Sequence, residues 1–145
     1  MPSITEYLSD DHERCDELFA IAESAAADAD WSATQARLES FLDAMRHHFA
    51  MEEDVLFPTF EERTGMTMGP TQVMRMEHQQ MRQLFDALGR ACGAQDQDSF
   101  LGQAETLLIL MQQHNFKEEQ MLYRMADDAL EDQLDSVIGR LQAVH

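Results

Sequence analysis

The sequence is poor in residues that break a chain or cross-link it. Its 145 residues include only two cysteines, three prolines and six glycines. Two cysteines are too few for a disulfide framework, and they match no cysteine-based zinc spacing, so we expect Cys15 and Cys92 to be reduced. Few prolines and glycines, with no long polar–apolar alternation, favour helices joined by short loops over strands. The predicted fold class is therefore all-α.

Positive charge is also scarce. The chain has 10 Lys and Arg against 28 Asp and Glu, a formal net charge of −18. Such a chain repels nucleic-acid phosphates and anionic lipid surfaces. No apolar run approaches the roughly 18 residues of a membrane span, and the N-terminus lacks the basic and apolar regions of a signal peptide. We expect no nucleic-acid or membrane partner and a cytoplasmic location.

Apolar residues recur at helical spacing along the whole chain, which has the length of one domain. The pattern predicts a helical bundle over residues 1–126, made of two helical hairpins at about 4–63 and 71–126. Residues 127–145 form a short fifth helix, which packs on one end of the bundle or makes a dimer contact.

Three positions mark the predicted helix ends. Pro58 should end or kink the second helix, because proline disfavours the helical conformation of the residue before it. Pro70 suits the first position of the third helix. Asp98 or Ser99 can cap the fourth helix.

The two hairpins are an internal repeat with a constant offset of 66 residues. Histidines and glutamates align at this offset, whereas helix periodicity alone would align only apolar residues. The aligned pairs are His12 with His78, His48 with His114, Glu52 with Glu118, and Glu53 with Glu119.

Six of these residues interrupt the apolar faces of the helices and form the candidate site. Helix lengths place all four histidines at about one level of the bundle, at ~1.5 Å rise per residue. Buried carboxylates are rare unless paired or bound to metal, so two of them among four imidazoles indicate a cation. The predicted metal ligands are His12, His48, Glu52, His78, His114 and Glu118.

Four imidazoles and two carboxylates exceed the needs of one tetrahedral zinc ion. They suit two metals that each take two histidines and share two bridging glutamates, with iron or manganese preferred over magnesium. Zinc could substitute. An oxo or hydroxo bridge would neutralise an iron(III) pair, and a coordination position would remain for a small diatomic molecule or peroxide.

Other polar residues have weaker signals. His47 and His145 break both the apolar stripe and the repeat, so we expect them to be exposed. Glu53 and Glu119 should be solvated or orient a ligand histidine. Cys15 lies one turn from His12, where it is a packed apolar residue or a redox partner of the site.

The segments HFAMEEDVLFP and HNFKEEQMLY, with His12 and His78, resemble the hemerythrin-like, or HHE cation-binding, domain. The resemblance covers roughly residues 4 to 126. It implies an up-down-up-down four-helix bundle with a non-haem di-iron centre. His12 and His48 would then bind one iron and His78 and His114 the other, with both glutamates bridging.

Oxygen-carrying hemerythrins have a further histidine on the third helix, where this chain has Met74 and Arg82 on either side of His78. The ligand set looks more like that of relatives linked to nitric oxide, peroxide or iron handling. We therefore predict a di-iron protein, monomeric or homodimeric, that binds, senses or reduces oxygen, nitric oxide or peroxide, or handles iron. The alternatives are an iron-centre repair or peroxide-reducing enzyme and a structural bundle acting through a protein partner.

Overall fold

The computed structural model describes residues 2–145, and every regular element among them is helical. This confirms the all-α class. The five helices are α1 (Ile4–Ala27), α2 (Trp31–Met51, a π-helical turn Glu52–Leu56, then Phe57–Thr64), α3 (Pro70–Gly93), α4 (Gln97–Lys117, a π-helical turn Glu118–Leu122, then Tyr123–Ala129) and α5 (Leu134–Gln142).

Helices α1 to α4 form the bundle, and each of them packs against two neighbours. α1 contacts α2 and α4, and α3 contacts the same two helices. Because the connections between consecutive helices are short, the helices alternate in direction. The result is an up-down-up-down bundle, followed by the short C-terminal helix α5.

The helix starts follow the chain's capping residues. Ser3 caps α1 by accepting a hydrogen bond from the Glu6 amide, and Pro70 is the first residue of α3, as predicted. The prediction for α4 was wrong. Its cap is Asp96, whose carboxylate accepts from the Ser99 amide, so the helix begins at Gln97.

Pro58 does not end α2, which was one of its two predicted effects, and the helix continues to Thr64. A π-helical turn directly precedes it, in which the Phe57 amide donates to the Glu52 carbonyl, five residues back. Such a turn leaves one carbonyl out of the regular ladder, so the missing proline amide costs less there. A matching turn in α4 has Arg124 at the position of Pro58, so proline is not its cause.

The apolar core is divided into two clusters by a polar layer. One cluster lies toward the α1–α2 and α3–α4 loops and includes Phe19, Phe41 and Phe85. The other includes Ile4, Phe60 and the inner face of α5. Burial of these side chains is the main stabilising term of the fold. Between the clusters, every helix of the bundle contributes a polar side chain to one buried layer.

Candidate metal centre

The buried layer contains all six of the residues singled out from the repeat. Each side chain is 0 to 5% exposed, and each comes from the middle of its helix: His12 from α1, His48 and Glu52 from α2, His78 from α3, His114 and Glu118 from α4. Histidine and glutamate lie one turn apart on α2 and again on α4, which puts both side chains on the inner face.

Each glutamate contacts one histidine from each hairpin. Glu52 Oε1 lies 3.4 Å from His48 Nε2 and 3.1 Å from His78 Nε2. Glu118 Oε1 lies 3.1 Å from both His12 Nε2 and His114 Nε2. Two groups therefore have their ligand atoms mutually within 4.8 Å, namely Glu52, His78, His114 and Glu118, and His12, His48 and Glu118.

Several of these atoms are close together without forming hydrogen bonds. Glu52 Oε1, Glu118 Oε2, and Nε2 of both His78 and His114 are buried and have no hydrogen-bond partner within residues 2–145. Unsatisfied polar atoms in a core are costly and need an explanation. Nitrogen and oxygen atoms that converge on common points, rather than on one another, fit metal ligation.

The other ring nitrogen of every histidine contacts a carboxylate on a neighbouring helix. The four Nδ1–carboxylate distances are 2.8 Å for His48 with Asp11, 2.7 Å for His78 with Glu53, 2.8 Å for His114 with Glu77, and 2.6 Å for His12 with Glu119. These contacts link α1 to α2, α2 to α3, α3 to α4, and α4 back to α1. The ring fixes each imidazole with Nε2 facing inward.

Glu53 and Glu119 thus have the orienting role that was one of their two predicted interpretations. Asp11 and Glu77 were missed, although they also lie 66 positions apart. Each precedes a ligand histidine but contacts the histidine of the next helix. Their shared offset of 66 residues is the sequence signal that points to both.

Three of the four orienting carboxylates also contact a cation. Arg82 makes two hydrogen bonds to Glu53, of 3.0 and 2.7 Å. Arg14 contacts Asp11 at 2.9 Å, and Lys117 contacts Glu77. Among residues 2–145, Glu119 makes no ion pair with lysine or arginine, and the repeat position equivalent to Arg82 is Asp16.

The carboxylates control the protonation of the imidazoles. Burial alone would lower the pKa of His114, but Glu118 and Glu77 outweigh it and raise the pKa to about 10. Burial alone would also lower the pKa of His48, but the interactions with Glu52 and Asp11 outweigh it. The pKa of His48 therefore lies well above its ordinary value. Without metal, the layer therefore holds protons on imidazoles that a metal ion would have to displace.

A seventh polar side chain, Tyr123, reaches the layer and was missed from the sequence. Its hydroxyl donates to Glu52 Oε2 at 2.7 Å and lies 3.0 Å from Glu118 Oε1. Regular α-helical spacing along α4 would place both Met121 and Leu122 on the inner face, but Met121 is 58% exposed. The π-helical turn inserts one extra residue, so Leu122 stays inward as spacing predicts and Tyr123, rather than Met121, is the second inward residue.

The remaining sequence-predicted positions lie outside the layer. His47 is half-buried rather than exposed, and its Nε2 contacts the Val144 carbonyl at 3.0 Å. His145 is exposed, as predicted. Cys15 and Cys92 are buried and form no disulfide within residues 2–145.

The family model described as "Hemerythrin HHE cation binding domain" matches residues 3–126. The chain therefore belongs to this hemerythrin family. No curated protein and no solved structure matches it. Within residues 2–145, the helices are all too short or too polar to traverse a lipid bilayer.

The family and the buried layer together define the class of protein. A hemerythrin domain with a core of histidines and glutamates fits a metal-binding protein, for which iron is the typical metal. The resemblance noted from the sequence is thereby confirmed.

Proposed function

We propose that the chain is a non-haem di-iron protein whose centre binds and reduces a small oxidant. His12 and His48 hold one iron, His78 and His114 hold the other, and Glu52 and Glu118 bridge them. The observation that carries this proposal is the contact of each glutamate with one histidine from each pair, at 3.1 to 3.4 Å. A carboxylate that lies between the two histidine pairs can bind the iron of each pair.

The surroundings of the histidines favour iron, including its trivalent state. Imidazole and carboxylate ligands suit iron and manganese, and zinc also accepts them. Each imidazole donates from Nδ1 to a carboxylate, which makes Nε2 a stronger donor to metal. Four such anionic partners stabilise a higher positive charge at the centre, which favours a metal that cycles between divalent and trivalent states.

Burial limits what can react at the centre. The ligand side chains are at most 5% exposed, and apolar clusters lie on both sides of the layer along the bundle. An organic substrate would have to separate the helices, whereas oxygen, nitric oxide or peroxide is small enough to diffuse between side chains. When bound, two iron ions supply electrons and coordination positions, and the protein positions them and excludes water.

The thiol of Cys15 is a poor candidate for an electron donor in a repair or peroxidase reaction. It is 2% exposed. Burial raises its pKa to about 11, so the reactive thiolate is scarce at neutral pH. Electrons for turnover would therefore come from outside the chain.

Metal content and spectroscopy test the proposal. Protein prepared without metal is loaded anaerobically with iron(II), analysed for iron, and exposed separately to oxygen, nitric oxide and peroxide. We expect two irons per chain and a change in the absorption spectrum with at least one oxidant. His48→Ala and His114→Ala should each lose iron, while the neighbouring His47→Ala should retain both.

Fewer than two irons per chain after anaerobic loading, or full iron content in His48→Ala and His114→Ala, would contradict the di-iron assignment. Two irons with no spectral response to any of the three molecules would leave the metal site intact but reject the reaction with a small oxidant.

A further inference from the structure

The repeat is broken at one aromatic position inside the buried layer. Tyr123 follows the π-helical turn of α4, and the residue 66 positions earlier, Phe57, follows the turn of α2. Both side chains are fully buried. The two rings occupy equivalent places in the two hairpins, and they differ by one hydroxyl group. That hydroxyl lies beside only one pair of histidines.

The Tyr123 oxygen is surrounded by ligand atoms of the His12 and His48 position. It lies 3.1 Å from His12 Nε2 and 3.4 Å from His48 Nε2. It also lies 2.7 Å from Glu52 Oε2 and 3.0 Å from Glu118 Oε1. A phenol that served only as a hydrogen-bond donor would need one acceptor. This oxygen instead lies close to four potential metal-ligand atoms, two imidazole nitrogens and two carboxylate oxygens, from three helices.

These distances are those of neighbouring ligands around one metal ion. Metal–ligand bonds of about 2.1 Å at right angles place adjacent donor atoms about 3.0 Å apart. In an octahedral arrangement each donor atom has four such neighbours. The Tyr123 oxygen has four neighbours at 2.7 to 3.4 Å, and each belongs to a proposed iron ligand.

On the basis of the proposed function, we propose that the Tyr123 oxygen is an additional iron ligand at the His12 and His48 position, and that the two iron positions are therefore chemically different. The other position faces Phe57, whose ring lies 5.7 Å from that of His78 and has no donor atom. Phe49 also stacks on His78 at 3.9 Å. No second tyrosine serves this position, because the only other tyrosine of the chain is Tyr7.

Ligation as a phenolate releases the hydroxyl proton to solvent and forms one iron–oxygen bond. Tyrosine is an established ligand of iron(III) in proteins. A trivalent cation at this position would offset the negative charges of Glu52 and Glu118 and stabilise the phenolate.

Light absorption by the iron(III) protein tests the assignment without measuring turnover. A phenolate bound to iron(III) gives a visible charge-transfer band, and resonance Raman excitation in that band enhances tyrosine ring vibrations. We expect both signals in the iron(III)-loaded chain. Tyr123→Phe should abolish them while retaining two irons, and Tyr7→Phe, the matched control, should preserve them.

The repeat supplies a second test in the opposite direction. Phe57→Tyr places a hydroxyl at the equivalent position of the other iron, and we expect about twice the charge-transfer absorbance per chain. Tyr123→Phe should fold, because phenylalanine already occupies the equivalent position.

The ligand assignment fails if the two-iron wild type lacks the band, or if Tyr123→Phe keeps it. A chain that binds no iron fails at the earlier step and contradicts the proposed function as well.

Discussion

The two helical hairpins are alike where they approach the proposed metals and differ around them. Both supply two histidines, one inner glutamate and two orienting carboxylates in the same register. The first hairpin has Phe57 and Asp16 where the second has Tyr123 and Arg82. The repeat preserves the proposed ligand set and its supporting hydrogen bonds. The polar and charged residues beside each proposed iron position differ between the hairpins, so the proposal gives the two positions different surroundings.

The largest expected effect tests the equivalence of the inner glutamates. If each glutamate bridges the two irons as proposed, Glu52→Ala and Glu118→Ala should each lower bound iron to one or none per chain. The measurement is iron per chain by elemental analysis after loading and desalting. Retention of two irons in either variant would refute bridging, and a loss confined to one variant would refute the equivalence of the two halves.

Metal should stabilise the fold, and by more as the pH rises. The pKa of His114 is raised to about 10, so in the metal-free protein its favourable contribution is complete below about pH 6.5 and is lost as the pH rises through about 10. Iron displaces these protons, so protons compete with it in acid.

The corresponding measurement is the melting temperature with and without iron at about pH 5, 7 and 9. We expect the metal-free protein to melt at a lower temperature at pH 9 than at pH 7, and the gain from iron to grow with pH. Identical melting temperatures with and without iron at every pH would contradict a buried metal layer.

The orienting carboxylates should have smaller effects, similar in the two halves. Glu53→Ala and Glu119→Ala each leave one ligand histidine without its Nδ1 partner, which typically costs about 10- to 100-fold in metal affinity. Saturating iron should still give two ions per chain. Glutamine at either position keeps an acceptor oxygen and should restore part of the affinity, as measured by competition with a chelator; no recovery would indicate that the charge, not the orientation, is what matters.

The smallest expected effect concerns the charge difference between the two hairpins at one repeat position, which is Asp16 in the first and Arg82 in the second. Asp16→Arg would place a cation where the other half has Arg82, next to the carboxylate of Glu119 that lacks one. Since such partly exposed ion pairs contribute about 0 to 1 kcal/mol, the melting temperature should rise by a few degrees at most. The rise should shrink in high salt, and a salt-independent change would argue against an electrostatic cause.

The sequence was sufficient for the fold class and for which side chains share the buried layer, because a 66-residue offset kept histidines and glutamates in register. It did not predict Tyr123, because a π-helical turn adds one residue and rotates the face that regular spacing places inward. Asp11 and Glu77 escaped notice since each contacts a histidine on another helix, and such pairing depends on how the helices pack. Pro58 does not end α2, one of its two predicted effects, because the π-helical turn before it accommodates a proline inside the helix.

The most direct test of the central claim is a crystal structure of the iron-loaded chain with anomalous scattering measured on both sides of the iron absorption edge. We expect two iron peaks in the buried layer, one bound by His12 and His48 and the other by His78 and His114, with Glu52 and Glu118 contacting both. A single peak, or peaks away from these six residues, would contradict this claim.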